Sequence, residues 1–66
     1  MPTQAQRILA RTDYGSDKEK MCLAEFQAVR FDAPIGSDVE TLYYIDGSVI
    51  LVQFDHNLQP VEFLAL

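Results

Sequence analysis

The sequence predicts a single α+β domain in which two N-terminal helices pack on a three-stranded antiparallel meander (ααβββ). Asp46-Gly47 separates two runs rich in β-branched and aromatic residues, and Ser16 and Glu19 have the spacing of a helix-capping box. A chain of 66 residues forms one small domain and no more. The predicted boundaries are a helical half over residues 3–30, a connecting loop over 31–38 and a sheet over 39–66.

The dipeptide Asp46-Gly47 predicts a tight hairpin between strands at residues 41–45 and 48–54. A type I′ turn requires positive φ at both central residues, and its two-residue loop would pair Ile45 with Ser48. One face would then carry Tyr43, Ile45, Ile50, Val52 and Phe54, and the other Leu42, Tyr44, Val49 and Leu51, with Glu40 and Gln53 at its end. Both faces are apolar, whereas an antiparallel sheet with one solvated face alternates apolar and polar residues.

A second turn and a third strand complete the predicted sheet. Residues 55–59 form the turn, with Asn57 as the residue best suited to a left-handed conformation. Residues 60–66 form the strand, and Pro60 suits its start because proline has no N–H to donate to a neighbouring strand. The sequence leaves the register of this strand open, and with it the face on which Phe63 lies.

Two helices precede the sheet. We expect the first over residues 3–11, with Thr3 as its N-cap, and the second from residue 17 to residue 29 or 30. The side chains expected to cover one sheet face are Ile8, Leu9, Cys22, Phe26 and Val29. The alternation of residues 25–31 also permits an extra strand after a shorter helix, although the helix is the preferred interpretation.

Charge is distributed unevenly along the chain. The net charge is −5, and all five Lys and Arg residues precede residue 31. The candidate acidic surface comprises Asp38, Glu40, Asp46, Asp55 and Glu62. A sheet half without cations disfavours direct nucleic-acid binding, which requires a positive groove. Its carboxylates would form either a solvated rim or an electronegative surface for a basic partner.

Two residues are candidates for chemistry. His56 follows Asp55, so it could act as a general base that the neighbouring carboxylate orients. Cys22 lies one helical turn after Lys18, and a nearby lysine makes a thiol more reactive by lowering its pKa. We expect His56 to be a solvated turn residue and Cys22 to be packed in the core, so no catalytic residue is predicted. The sequence has no Gly-rich phosphate loop and no paired Cys or His spacing, so no metal or cofactor is predicted.

The sequence favours a cytoplasmic protein. A single cysteine permits no intrachain disulfide, which is typical of a reducing compartment. The sequence has no signal-peptide pattern and no apolar run long enough to span a bilayer.

These features favour a small acidic protein without catalytic activity that binds and regulates another protein, for example as an inhibitor of a basic partner. The alternative is a self-assembling structural subunit, a homodimer, and a small enzyme is a remote third hypothesis. Two short helices cover only one apolar sheet face, so the other face is expected to be an interface. The interface residues predicted from the hairpin are Leu42, Tyr44, Val49, Leu51 and Phe63.

Overall fold

A computed structural model describes the whole chain, residues 1–66. Its elements are α1 (Gln4–Ala10), α2 (Asp17–Gln27), β1 (Arg30–Asp32), β2 (Val39–Tyr43), β3 (Val49–Phe54) and β4 (Pro60–Ala65). The strands form one antiparallel sheet in the order β1-β2-β3-β4. The predicted α+β class is confirmed, with two helices and an antiparallel sheet, but the sheet has four strands rather than three.

The additional strand, β1, lies where the sequence predicted the end of the second helix and a loop. α2 ends at Gln27, and the next residue, Ala28, is already extended. The Val29 N–H donates to the carbonyl oxygen of Tyr43 at 2.9 Å, and Val29 is exposed rather than packed under the helices. The prediction of a helix through residue 29 or 30 was therefore wrong. The alternative, an extra strand after a shorter helix, is confirmed, but the strand spans Arg30–Asp32, and residues 25–27 of the alternating run 25–31 are helical.

The start of α1 is capped by its own residues and by the loop between β2 and β3. Thr3 is the N-cap, as predicted, and forms a capping box with Gln6. The Asp46 carboxylate accepts the first helical N–H at 2.8 Å, and the Ser48 hydroxyl accepts the second at 3.1 Å. The N-terminal N–H groups of a helix need such partners, so these two bonds fix α1 to the hairpin.

α2 starts after Ser16 as predicted, but the Glu19 carboxylate accepts the Gly15 N–H instead of the Ser16 N–H, so the predicted capping box is only half formed. Ser16 caps the helix by accepting the Glu19 N–H at 3.2 Å.

The buried side of the helix also differs from the prediction. Met21 and Ala24 are the buried residues, whereas Cys22 is exposed and Phe26 is 87% exposed. Because Ala24 is small and fully buried, the helix lies close to the sheet on that side. The predicted packing of Cys22 and Phe26 was therefore wrong.

The hairpin between β2 and β3 is offset by one residue from the prediction. The Tyr44 N–H donates to the Ser48 carbonyl at 3.0 Å, and the Gly47 N–H donates to the Tyr44 carbonyl at 3.0 Å. The loop therefore contains three residues, and only its last, Gly47, has a positive φ, 87°. This is a type I turn followed by a left-handed residue, not the predicted type I′ turn.

Because of this offset, the side chains of β2 lie on the opposite face of the sheet from the one predicted, relative to those of β3. Leu42 pairs with Ile50, and Tyr43 pairs with Val49. A shift of one residue moves a strand's side chains to the opposite face. Leu42 and Tyr44 therefore lie on the same face as Ile50, under the helices.

The hairpin between β3 and β4 has a loop of the same kind. The Asp55 N–H donates to the Gln59 carbonyl at 3.0 Å, and the Leu58 N–H donates to the Asp55 carbonyl at 3.0 Å. The left-handed residue is Leu58, with a φ of 60°, and not Asn57 as predicted. A three-residue loop of this kind requires the left-handed conformation at its third position, which Leu58 occupies.

The core lies between the two helices and one face of the sheet. Leu42, Ile50 and Val52 are fully buried at its centre. The core cluster comprises Ala5, Ile8, Met21, Ala24, Leu42, Tyr44, Ile50 and Val52, with Leu9, Ala28, Phe54, Phe63 and Ala65 packed against it. The predicted contributions of Ile8 and Leu9 are thus confirmed, and the opposite face of the sheet has no second layer.

Candidate interaction surface

The sheet face opposite the helices is the candidate site. Strand pairing arranges its side chains in three rows that run across the strands. The first row is Arg30, Tyr43, Val49 and Leu66, the second is Asp32, Thr41, Leu51 and Leu64, and the third is Val39, Gln53 and Glu62. These residues are termed the open face below.

The open face is apolar and partly exposed along β3 and along the last residues of the chain. Leu64 is 54% exposed and Leu66 is 65% exposed, while Val49 and Leu51 are half-buried by their neighbours. A shallow depression of about 240 Å³ lies at one end of the face. It is smaller than the cavities of roughly 300–1,000 Å³ that hold small ligands. A shallow apolar surface of this kind suits contact with another protein.

Arg30 and Tyr43 form a stacked pair at one corner of the open face. The guanidinium carbon of Arg30 lies 3.8 Å from the centroid of the Tyr43 ring, within the range of a cation–π interaction. Arg30 is the only Lys or Arg in the four strands, and it forms no ion pair. Glu62, at the diagonally opposite corner, also forms none. Arginine and tyrosine are both enriched at protein interfaces.

The predicted interface residues divide between the two sides of the sheet. Val49 and Leu51 lie on the open face, as the prediction requires. Leu42 and Tyr44 are only 0% and 3% exposed, so their assignment to an interface was wrong. Phe63 pairs with Val52 on the helix side of the sheet and packs against the core, so it does not belong to the open face either. The errors at Leu42 and Tyr44 follow from the one-residue offset of the hairpin, and the error at Phe63 follows from the open register of the last strand.

Sequence reasoning missed several members of the open face. Tyr43 was assigned to the opposite side, and Arg30 was assigned to a helix. Leu64 and Leu66 could not be placed because the register of the last strand was open. The alternation of residues 25–31 was the available signal for β1, which contributes Arg30 and Asp32 to the open face.

The predicted acidic residues do not form one surface. The Asp46 carboxylate accepts the Ser48 hydroxyl and N–H and the Gln4 N–H, and these bonds lower its pKa to about 2. The Asp55 carboxylate accepts the N–H groups of Asn57 and Gln59 and so closes its own loop. Asp46 and Asp55 therefore stabilise the fold. Asp38 is exposed in the loop before β2, and Glu62 is exposed on β4.

Glu40 lies on the helix side of β2 and interacts with Glu25 of α2. Burial raises the pKa of the Glu40 carboxyl to about 7, with contributions from a hydrogen bond and from charge repulsion with Glu25. One Glu40 oxygen, Oε2, is buried without a hydrogen-bond partner. Burial also raises the pKa of the nearby Tyr44 hydroxyl to about 12, and this hydroxyl donates to the Ala24 carbonyl at 2.8 Å. Glu40 is thus part of the helix–sheet contact.

The two candidate reactive residues, Cys22 and His56, lie at separate exposed positions. Cys22 is exposed on α2, which contradicts its predicted burial. His56 is exposed in the loop after β3, where it was expected, and the Asp55 carboxylate is bonded to backbone N–H groups of that loop. No three side chains among His, Cys, Asp and Glu come together in a way that could hold a metal ion.

The chain matches no protein-family model, no curated protein and no solved structure. Neither of its two helices has the length and hydropathy needed to cross a bilayer. Its function therefore has to be inferred from its own residues.

Proposed function

We propose that this chain is a non-catalytic protein-interaction protein and that its docking surface is the open face. The single observation that carries the proposal is the apolar patch that Val49, Leu51, Leu64 and Leu66 form on that face, with Leu64 and Leu66 exposed. Contiguous apolar patches on small proteins mark interaction sites because their removal from water favours association. The stacked pair of Arg30 and Tyr43 supplies residue types that dominate binding energies at interfaces.

A second candidate is a regulator or inhibitor that presents its carboxylates to a basic partner. The observation in its favour is the net charge of −5 together with the absence of Lys and Arg after residue 30. It receives less support than the open face because Asp46 and Asp55 are occupied by hydrogen bonds within the fold. Salt distinguishes the two modes of binding. A complex held by charge weakens steeply with ionic strength, and one held by apolar contact does not.

A cytoplasmic location is part of the same proposal. Cys22 is a free thiol on the surface of the chain, and an exposed free thiol is compatible with a reducing compartment. Fractionation of the native host, with the chain followed by antibody, would test the location.

The decisive experiment compares partner recovery by open-face and control variants in the native host. Leu51→Glu places a charge in the middle of the open face, and Ile35→Glu places one at a fully exposed loop position outside it. We expect a protein partner that the wild type and Ile35→Glu both recover and that Leu51→Glu loses. Equal recovery by all three proteins would overturn the assignment of the open face.

A further inference from the structure

We propose that the open face is covered by a second copy of this chain, in a two-fold dimer whose two sheets cross at nearly a right angle. The inference rests on the proposed function, since it names the occupant of the same surface. A two-fold interface brings one patch against its own copy, so the patch must be complementary to itself. The arrangement of charges on the open face meets this condition.

The open face is nearly square and carries three charged residues, Arg30, Asp32 and Glu62, none of them in an ion pair, and Arg30 and Glu62 lie at opposite corners. Neighbouring strands are about 4.8 Å apart, so β1 and β4 are separated by about 14 Å. The first and third rows are four residues apart, or about 13 Å at about 3.3 Å per residue. Arg30 occupies the corner of the first row on β1, and Glu62 occupies the corner of the third row on β4.

A two-fold axis in the plane of the interface, running along the other diagonal past Leu66, exchanges these two corners. Arg30 of each copy then lies against the partner's Glu62, so two ion pairs close the edges of the interface. Such an axis turns the strands of one sheet by about 90° relative to the other, which is one of the two preferred arrangements of packed sheets. Tyr43 would lie over the partner's Leu64, and Leu51 would lie near the centre.

The aligned alternatives leave Arg30 without a carboxylate partner. An axis parallel to the strands places Arg30 against the partner's Leu66 and Asp32 against the partner's Leu64. An axis across the strands places Asp32 against its own copy, so two like charges meet. Burying an unpaired charge or a pair of like charges is strongly unfavourable. Of the three arrangements, only the crossed one pairs Arg30 with the partner's Glu62, and it leaves Asp32 at the edge of the interface, between the partner's Val39 and Gln53.

The size of the open face sets the expected affinity. Its backbone spans about 14 Å by 13 Å, so it is smaller than the roughly 800 Å² that each partner contributes to a standard interface. Interfaces of that size form weak or transient complexes, so we expect a dimer with a dissociation constant in the micromolar range. Its formation would depend on protein concentration.

Sedimentation of the full chain over a range of concentrations tests the dimer, and a charge exchange tests its geometry. Arg30→Glu and Glu62→Arg each replace an ion pair with two like charges, and each should weaken dimerisation at least roughly tenfold. The double variant restores opposite charges at both contacts and should return the dissociation constant to within roughly threefold of wild type. Leu51→Glu should be monomeric, and Ile35→Glu should dimerise as the wild type does. Circular dichroism confirms that each variant is folded.

The outcomes separate this inference from the proposed function. A folded wild type that remains monomeric throughout the micromolar range overturns the dimer. The proposed function still stands in that case if Leu51→Glu loses a protein partner that Ile35→Glu retains. A wild-type dimer that Leu51→Glu disrupts, but in which the double charge exchange fails to restore affinity, overturns the crossed arrangement. Recovery by the double variant alone, after loss in both single variants, supports it.

Discussion

Gly47 and Leu58 occupy the same position in the two hairpin loops that flank β3. Each is the third residue of a three-residue loop, and each donates its N–H to the carbonyl three residues earlier at 3.0 Å. Both are left-handed, with φ values of 87° and 60°. Glycine adopts this conformation freely, whereas it costs other L-residues about 1–2 kcal/mol. Leu58 is 80% exposed, so packing offsets little of that cost.

Introducing a glycine at position 58 and removing the glycine at position 47 should change the free energy of unfolding in opposite directions. Leu58→Gly removes the strain of a left-handed leucine and should raise the free energy of unfolding by up to about 1 kcal/mol, since the greater freedom of glycine in the unfolded chain offsets part of the gain. Gly47→Ala should lower it by about 1–2 kcal/mol. No atom lies within 4 Å of the added methyl group, so that loss is conformational rather than steric. Urea unfolding measures both, and a clear loss of stability in Leu58→Gly would contradict the strain.

Glu40 makes stability decrease as pH rises toward neutrality. The pKa of its carboxyl is about 7 in the folded chain against an ordinary value of 4.5, so the folded state binds the proton more tightly. Between these two values the folded chain holds more protons than the unfolded chain, and the free energy of unfolding therefore falls with increasing pH. Glu40→Gln should remove this fall, because glutamine stays uncharged beside Glu25.

Urea unfolding at a series of pH values tests this assignment, with Glu62→Gln on the opposite face as the matched control. The difference in stability between wild type and Glu40→Gln should shift against the wild type as pH rises from 4.5 to about 7. The control should run parallel to the wild type over the same window. A difference between Glu40→Gln and wild type that does not vary with pH would show that the Glu40 carboxyl has its ordinary pKa in the folded chain.

Two adjacent tyrosines provide a test of the hairpin offset. The Tyr44 hydroxyl is buried and donates to the Ala24 carbonyl at 2.8 Å, whereas Tyr43 lies on the open face under Arg30. Tyr44→Phe should therefore lower the free energy of unfolding by about 1 kcal/mol, the net value of a buried hydrogen bond. Tyr43→Phe should stay within about 0.5 kcal/mol of wild type. Thermal melts that place the larger loss at Tyr43 would support the register predicted from sequence instead.

The sequence signals were strongest where a short pattern determines backbone geometry. Asp46-Gly47 correctly predicted a hairpin, and Thr3 and Ser16 correctly predicted the two helix starts. The loop length was missed because Asp-Gly fits both a two-residue loop and the last two positions of a three-residue loop. That single ambiguity moved Leu42 and Tyr44 to the wrong face, and with them part of the predicted interface.

The remaining errors arose from features that tertiary packing decides. β1 has only three residues, Arg30–Asp32, and pairing with β2 rather than its own propensity makes it a strand. The orientation of α2 depends on the close approach of Ala24, and a hydrophobicity pattern ranks Phe26 above alanine as a core residue. Val49 and Leu51 were placed correctly on the open face, because their strand kept its predicted alternation.

The orientation of α2 gives a prediction on which sequence pattern and structure disagree. Met21 is 7% exposed and Phe26 is 87% exposed. Met21→Ala should lower the free energy of unfolding by about 2–5 kcal/mol, because it removes buried methylene groups and leaves a cavity. Phe26→Ala should change it by less than about 0.5 kcal/mol, since an exposed side chain loses little on truncation. Both variants introduce alanine into the same helix, so they act as matched controls for helix propensity. If Cys22 and Phe26 packed on the sheet as the sequence predicts, Phe26→Ala would lower the free energy of unfolding more than Met21→Ala.

Cys22 provides an independent measurement of the same orientation. Its thiol is exposed on α2, one residue from the buried Met21 and four residues from Phe26, on the side of the helix turned to solvent. A thiol reagent should therefore modify Cys22 in the folded chain at a rate close to that in the urea-unfolded chain. Modification should also leave the far-UV circular dichroism unchanged, because no packed contact has to open. Protection of the native thiol by several orders of magnitude would instead show that α2 buries the side that carries Cys22 and Phe26. Met21 would then tolerate substitution.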